Sequence, residues 1–190
     1  GVVSEADLFA EAQRYHLGID VDVDYRRAYD LYQQIVQRNP RHRDAYYNMA
    51  HICFEQKRYD LAARYYQRVI QLDPKDSDAH NNLGTVYLHQ GKTEAAKQAY
   101  LNAVQHNRDL APAFYNLALI FWEEGHRDQA EKAIDEAVRI APENAEFVRV
   151  QSVIRGETGK ISNTLVLVVV GGFVAVIVGY YYLFARKGLQ

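Results

Sequence analysis

The sequence predicts an all-α protein in which stacked helical hairpins are followed by one long apolar helix. Three observations predict this class. Similar residues recur every 34 positions through most of the chain, each unit carries two apolar stripes of helical spacing, and the last thirty residues hold almost no charge. No strand is expected.

The repeating units are predicted to be helical hairpins. The 34-residue step separates the small residues Ala28, Ala62, Ala96 and Ala130, the large residues Tyr32, Tyr66, Tyr100 and Ile134, and the amides Asn48, Asn82 and Asn116. Within one unit, Leu83 and Tyr87 share a stripe, Ala96 and Tyr100 share the next, and residues 90–92 are predicted to turn between them. A fixed period of this kind is typical of a solenoid whose units bury one another.

These residues resemble the tetratricopeptide-repeat family, whose 34-position pattern can be laid on residues 77–110. The pattern matches at Leu83, Gly84, Tyr87, Ala96 and Ala103, with Tyr100 in place of phenylalanine. The resemblance implies a right-handed superhelix over residues 5–155, with repeats at 5–42, 43–76, 77–110 and 111–144. The first repeat departs from the pattern, since about four extra residues in its turn make it look closer to the related Sel-type repeats.

Residues 143–155 are predicted to form a capping helix that closes the stack. Phe147, Val150 and Ile154 make one side of this helix apolar, and the other side is polar. Residues 156–163 are interpreted as a short linker because two glycines and several charges interrupt the helical pattern.

Residues 164–184 are predicted to be a transmembrane helix. They lie within a run of 25 uncharged residues between Lys160 and Arg186. At ~1.5 Å per residue they would span roughly 30 Å, the thickness of a bilayer's hydrocarbon core. A buried core helix is the alternative, but nothing else in the chain is apolar enough to surround one. Residues 185–190 form a short basic tail.

One stripe of the predicted membrane helix consists of small residues. Gly171, Ala175 and Gly179 recur every four positions, which would let a second membrane helix approach closely. The alternative is that glycine is simply common in membrane helices. Cations flank both ends of the span, so the charge bias sets no orientation. We favour a tail-anchored, single-pass protein with a cytosolic repeat domain, the alternative being a cleaved export signal before Gly1.

The composition argues against a nucleic-acid binder and an enzyme. Residues 1–160 carry 20 Lys and Arg against 24 Asp and Glu, whereas a nucleic-acid binder needs a basic face. The seven histidines form no metal-binding spacing, and His51 and Cys53 would point to different sides of a helix. No phosphate loop or nucleophile elbow is present. Neither catalytic residues, a metal nor a cofactor is expected.

A partner-binding groove is implied by the resemblance, because the first helix of each hairpin lines a concave surface in this family. The matching positions here are Phe9, Gln13, Asp44, Tyr47, His51, Phe54, Glu55, Asp78, Asn81, Thr85, Leu88, His89, Tyr115, Leu119, Trp122 and Glu123. This aromatic and mildly acidic surface would suit a partner segment with apolar and basic side chains. Packing against the neighbouring hairpin is the alternative for Phe54 and Trp122.

Some family members grip the acidic tail of heat-shock chaperones with a clamp of Lys, Arg and Asn. Of those positions only Asn48 fits, because Phe9, Gln13, Asp78 and Asn82 stand where cations or another asparagine are required. The recurring asparagines are therefore interpreted as structural, bonding backbone between hairpins.

The expected function is that of a membrane-anchored scaffold for protein–protein interaction. An accessory or assembly subunit of a membrane protein complex has two suitable surfaces, the groove and the small-residue stripe. The alternatives are a tail-anchored receptor that recruits soluble clients and a scaffold that assembles with copies of itself.

Overall fold

The computed structural model describes residues 3–157 and two short segments nearer the C-terminus, 167–170 and 173–176. The described residues form nine helices and two strands. These are α1 (Glu5–Leu17), α2 (Tyr25–Arg38), α3 (Arg43–Glu55), α4 (Tyr59–Leu72), α5 (Ser77–His89), α6 (Thr93–His106), α7 (Ala111–Glu123), α8 (Arg127–Ile140), α9 (Ala145–Arg155), β1 (Leu167–Val170) and β2 (Phe173–Val176).

The first eight helices pair into four hairpins that stack in chain order, α1 with α2 through α7 with α8. Equivalent helices keep the 34-residue step, since α3, α5, α7 and α9 begin at Arg43, Ser77, Ala111 and Ala145. The all-α class predicted from the sequence is confirmed for residues 3–157. Helix α9 stands where the first helix of a fifth hairpin would begin.

Polar side chains set several helix starts. The side chains of Ser4, Asp24 and Asp76 each accept a hydrogen bond from a backbone N–H three residues further on, and Asn144 caps α9 in the same way. Such caps satisfy backbone donors that have no partner within the helix.

The core lies between the two helices of each hairpin, where alanine permits close approach. Ala28, Ala62, Ala96 and Ala130 are fully buried, as are the large residues at the Tyr32, Tyr66, Tyr100 and Ile134 positions. The closest approach is at Gly84, where an added Cβ would lie 2.7 Å from Cε1 of Tyr100. The ring of Tyr100 therefore packs directly on the backbone of α5.

The first hairpin has the long turn expected from the sequence. Residues 18–24 separate α1 from α2, whereas residues 56–58, 90–92 and 124–126 separate the helices of the next three hairpins. The backbone N–H of Asp24 donates to the carbonyl of Tyr15 at 2.9 Å, which closes the longer turn on α1. We call the side of the domain that carries these four turns the turn edge.

The transmembrane helix expected over residues 164–184 is not seen in the described part of that range. Leu167–Val170 and Phe173–Val176 are antiparallel strands instead, with Leu167 opposite Val176. Most of these eight residues are valine, whose branched side chain favours strands, and the intervening Gly-Gly pair is a composition typical of hairpin turns. Among the described residues, no helix combines the length and apolar character needed to cross a membrane.

The predicted small-residue stripe required a helix through residues 171–179. Ala175 instead lies in β2, opposite Val168, while Gly171 and Gly179 are outside the described residues. Most of the predicted linker, residues 158–163, and the tail at 185–190 also lie outside them.

Candidate functional site

A cavity of about 190 Å³ lies between the second and third hairpins. It is lined by His51, Phe54 and Glu55 of α3, Tyr66 of α4, and Asn82 and Thr85 of α5. Four of these six, His51, Phe54, Glu55 and Thr85, are residues that the resemblance placed in the groove. We call this space the inter-hairpin cavity.

Two residues that line the inter-hairpin cavity, Asn82 and Tyr66, both contact Tyr47 of α3. Nδ2 of Asn82 donates to the hydroxyl of Tyr47 at 2.7 Å, and the Tyr47 ring meets the ring of Tyr66 edge-on. Burial raises the pKa of both Tyr47 and Tyr66, so these phenols stay protonated at neutral pH. These side chains are therefore polar but uncharged.

The residue that precedes Asn82, Asn81, has a buried acceptor without a donor. Nδ2 of Asn81 donates to Oδ1 of Asn82 at 3.3 Å, but Oδ1 of Asn81 is buried and has no hydrogen-bond partner among the described residues. An unsatisfied buried acceptor costs about 1–3 kcal/mol. An N–H donor from a bound partner would remove that cost.

Phe54 both packs against the next hairpin and lines the inter-hairpin cavity. Its ring lies edge-on to His89, with centroids 5.0 Å apart, and the His89 ring stacks on Tyr59 at 4.8 Å. Burial lowers the pKa of His89, which favours its neutral form in this aromatic cluster. The two interpretations of Phe54 from the sequence are thus compatible.

A chain of polar contacts joins the inter-hairpin cavity to the first hairpin. Nδ1 of His51 lies 2.9 Å from Nε2 of His16, and Nδ1 of His16 lies 3.4 Å from the hydroxyl of Tyr32. His51 also lies 3.9 Å from the carboxylate of Glu55. Burial, and secondarily the neighbouring His51, lower the pKa of His16 to about 4.

Two of the three recurring asparagines, Asn48 and Asn82, bond between hairpins, but to tyrosine hydroxyls and not to backbone as expected. Nδ2 of Asn48 donates to the hydroxyl of Tyr32 at 3.1 Å, just as Asn82 donates to Tyr47. Backbone carbonyls inside helices already accept bonds from their own helix, which leaves tyrosine hydroxyls as the available acceptors.

Tyr115 and Leu119 are core residues in the structure, which corrects the prediction that they line the groove. The Tyr115 ring stacks on Phe147 at 4.9 Å and its hydroxyl donates to Glu146 at 3.0 Å. Leu119 is only 4% exposed. The physical reason is that α9 packs at the position of a further first helix and covers this part of α7.

The other predicted groove residues do not line the inter-hairpin cavity. Asp44, Asp78 and Glu123 are exposed, while Gln13, Leu88 and Trp122 are half-buried. Asp44 pairs with Arg43 at 2.8 Å, and the Arg127 guanidinium lies 5.5 Å from the Trp122 ring. Phe9, at the other end of the array, packs against Tyr32 and His42.

Reasoning from the sequence missed Tyr66, Asn82, Tyr59 and His16. Tyr66 and Asn82 recur every 34 residues and were therefore interpreted as structural only. A residue that lies between two hairpins can both pack in the core and line a surface. Tyr59 begins α4, outside the first helices that the resemblance singled out. No periodic signal was available for His16, because the first hairpin does not follow the repeat pattern.

The described residues contain no group of three or more His, Cys, Asp or Glu side chains placed to hold a metal ion. Cys53 is buried and free, and burial raises the pKa of its thiol. A thiol in that state is a poor nucleophile.

Comparison with known proteins agrees with the repeat fold. Tetratricopeptide-repeat models match residues 44–76, 65–98 and 87–154. No curated protein sequence matches the chain significantly. Similar solved structures include a MamA protein, with a TM-score of 0.70 and 17% identity over 82% of this chain and 82% of that chain.

Two further structures are similar. YrrB, described as a TPR protein with an unusual peptide-binding site, has a TM-score of 0.65 and 19% identity over 78% of this chain and 75% of its own. MamA from Desulfovibrio magneticus RS-1, residues 41 to the end, has a TM-score of 0.64 and 20% identity over 75% of this chain and 78% of its own. Because the family models together span residues 44–154, more than half of the chain, this protein belongs to the tetratricopeptide-repeat family.

Proposed function

We propose that this protein is a non-enzymatic scaffold that binds a segment of a partner protein in the inter-hairpin cavity, beside a membrane. The observation that carries the proposal is the convergence of His51, Phe54, Glu55 and Thr85 on one cavity. These residues come from the first helices of two successive hairpins, so an elongated segment crossing α3 and α5 would contact both.

The cavity favours a partner segment with an apolar anchor, a hydrogen-bond donor and a basic side chain. A volume of about 190 Å³ is sufficient for one aromatic or large aliphatic side chain, since apolar cavities of about 150 Å³ hold benzene. Asn81, which hydrogen-bonds to Asn82 of the cavity, has an acceptor without a donor, and Glu55 offers a carboxylate at the cavity rim. The peptide-binding site described for YrrB supports this mode of recognition.

We propose further that residues 164–184 anchor the protein in a bilayer as a single-pass helix, with the repeat domain on the cytosolic side. The support is the uncharged sequence and its length. An isolated strand pair exposes unpaired backbone groups at its edges, which lipid does not tolerate, so the residues of β1 and β2 would have to become helical on insertion. In a helix, Gly171, Ala175 and Gly179 would form one stripe for a membrane partner.

In this proposal residues 5–155 form one right-handed repeat domain with a Sel-like first unit and a capping helix at residues 143–155. Residues 156–163 are the linker and residues 185–190 the basic tail. The preferred role is an accessory or assembly subunit of a membrane protein complex.

Alkaline carbonate extraction tests the anchor. The full chain is expected to stay in the membrane pellet, and a chain truncated after Lys160 is expected in the supernatant. Circular dichroism of the full chain in lipid vesicles should show more helix than in aqueous buffer. A truncated chain that still resists extraction would refute the anchor.

Affinity purification from native membranes tests the inter-hairpin cavity. We expect the double variant Glu55→Lys, Asn81→Leu to lose the partner that the wild type retains, because it reverses the rim charge and removes the free acceptor. The matched control is Asp30→Lys, Gln34→Leu, which makes the same kinds of change at exposed positions of α2. Equal recovery with both variants would refute the cavity as the binding site.

Deleting residues 161–190 distinguishes the two main roles. A recruiter of soluble clients keeps its client after the deletion, whereas a subunit of a membrane complex loses much of its association. Self-assembly, the third role, requires growth of light scattering with protein concentration.

A further inference from the structure

We propose that the turn edge of the second and third hairpins faces the membrane and binds anionic lipid headgroups through Lys57, Arg58, Arg64 and Lys92. The inference rests on the proposed membrane anchor and adds an orientation and a lipid preference to it.

These four cations line one groove of about 630 Å³, which we call the basic groove. Lys57 and Arg58 lie in the turn between α3 and α4, Arg64 lies near the start of α4, and Lys92 lies in the turn between α5 and α6. Tyr59 and Leu61 add apolar surface. The groove is thus built by the turn edge of two neighbouring hairpins.

The positive charge of the basic groove is not neutralised within the protein. None of its four cations forms an ion pair with a carboxylate of the described residues. The one carboxylate that lines the groove, Asp60, accepts a hydrogen bond from Nε2 of Gln90 at 2.7 Å. This concentration of cations contrasts with the excess of acidic residues over residues 1–160.

Lys57 occupies a position at which the repeat otherwise has glycine. It lies 34 residues before Gly91 and 68 before Gly125, and all three have left-handed backbone, with φ of 59°, 71° and 78°. Glycine adopts this conformation freely, whereas a residue with a Cβ is disfavoured there. The second hairpin therefore places a cation at the tip of its turn despite a conformational cost.

The chain leaves the repeat domain from the same edge. Helix α9 ends at Arg155, and the side chain of Arg127, the first residue of α8, donates from Nε and Nη2 to the carbonyl of Ile154 at 3.3 Å. The end of α9 is thus attached beside the turn between α7 and α8. Residues 157–163 span at most about 25 Å even when fully extended, so a membrane anchor beginning at residue 164 would hold the turn edge near the bilayer.

The membrane is therefore the anionic surface that the basic groove meets. One hairpin, α7 with α8, separates the groove from the end of α9, and packed helices lie about 8–10 Å apart, so the groove and the anchor can contact the same bilayer. Cations near an anionic leaflet are attracted to it within about a Debye length, ~10 Å at 0.1 M salt. An acidic protein segment would fit the same charge but is not held at this edge by the chain.

The experiment measures which edge of the full chain approaches the bilayer. A dye is attached to an introduced cysteine, at Gln56→Cys on the turn edge or Lys75→Cys on the opposite edge, with buried Cys53 left in place. The protein is reconstituted in phosphatidylcholine vesicles with or without phosphatidylserine, and quenching by a headgroup-linked quencher is recorded.

The charge variant is Lys57→Glu, Arg64→Glu, Lys92→Glu, and its matched control, also on exposed residues, is Arg41→Glu, Lys75→Glu, Arg108→Glu. Because the control changes Lys75, both charge variants are labelled at position 56.

We expect severalfold stronger quenching at position 56 than at position 75 in vesicles that contain phosphatidylserine. At high salt, and in the Lys57, Arg64, Lys92 variant, quenching at position 56 should fall to the level recorded at position 75 of the wild type, whereas in the control variant it should stay high. The inference is overturned if the protein is integral but position 56 is quenched no more than position 75. It is also overturned if quenching at position 56 is equal in the two charge variants. Either result leaves the anchor standing. If alkaline carbonate removes the wild-type protein from the vesicles, the anchor is refuted, and this inference is refuted with it.

Discussion

His16 and His51 join the first hairpin to the second through a single contact between ring nitrogens, with Nε2 of His16 2.9 Å from Nδ1 of His51. At least one of these nitrogens must carry a proton, and the contact is lost if both do. His16 is buried against Tyr25 and Tyr32, whereas His51 reaches the inter-hairpin cavity and Glu55. If both facing nitrogens carry a proton, the two rings must move apart, or the buried His16 must hold a positive charge in the core.

Acidification should destabilise the domain through His16. Its pKa is about 4 in the folded protein against 6.5 unfolded, so the unfolded chain binds the extra proton first. The contribution of neutral His16 is complete above pH 6.5 and is lost as the pH falls from 6.5 toward 4, up to about 3 kcal/mol. Urea unfolding at pH 7 and pH 4.5 measures it. The loss should be smaller in His16→Gln and unchanged in His126→Gln, and equal losses in all three proteins would rule out this role for His16.

Gly84→Ala should destabilise the third hairpin although alanine favours helices. An added Cβ would lie 2.7–2.9 Å from three atoms of the buried Tyr100 ring, so the ring must move within a packed core. We expect a net loss of about 1–3 kcal/mol in urea unfolding. The following hairpin combines Ala118 with Ile134 at these positions, so Tyr100→Ile should rescue Gly84→Ala. Two independent, additive losses would contradict the packing described for this pair.

Asn82→Ala should cost more stability than the same change at Asn116. Removing the Asn82 amide leaves the half-buried Tyr47 without the donor to its hydroxyl, a loss of about 1–2 kcal/mol. No side-chain hydrogen bond of Asn116 is found among the described residues, so Asn116→Ala should cost less than about 1 kcal/mol. Equal effects of the two substitutions on the unfolding free energy would contradict the inter-hairpin role of Asn82.

Phe147→Ala should loosen α9 and expose the end of the stack. Phe147 is 7% exposed and stacks on Tyr115, so its truncation is expected to cost about 3–4 kcal/mol. Uncovered Tyr115 and Leu119 should then increase the binding of an apolar dye such as ANS. Val148→Ala, at an exposed position of the same helix, serves as the control. Dye binding that does not change in Phe147→Ala would show that α9 does not cover α7.

The parts of the fold that sequence reasoning captured are those that repeat. The 34-residue step located the helices and the buried tyrosines because each hairpin meets the same neighbours on both sides. The resemblance to the family, and not the period itself, singled out His51, Phe54, Glu55 and Thr85, which line the inter-hairpin cavity. It misplaced Tyr115 and Leu119, because α9 packs as an additional first helix where the repeat pattern alone leaves α7 open.

Features outside the period could not be derived in this way. His16 lies in the hairpin with the longer turn, so no aligned position pointed to its contact with His51. The valine-rich segment satisfies two requirements at once, since an uncharged run of this length suits a membrane helix and its branched residues and Gly-Gly pair suit β1 and β2. Hydropathy and strand preference do not by themselves decide between these states.

The most direct test of the central claim is site-specific photo-cross-linking from the inter-hairpin cavity in native membranes. A photoreactive residue at Glu55 should give one discrete adduct with a partner protein, and Asn81→Leu should abolish that adduct. A photoreactive residue placed at position 34 of α2, in place of Gln34, should give no adduct. Adducts of equal yield from positions 34 and 55, or an adduct at 55 that Asn81→Leu leaves intact, would contradict partner binding in this cavity.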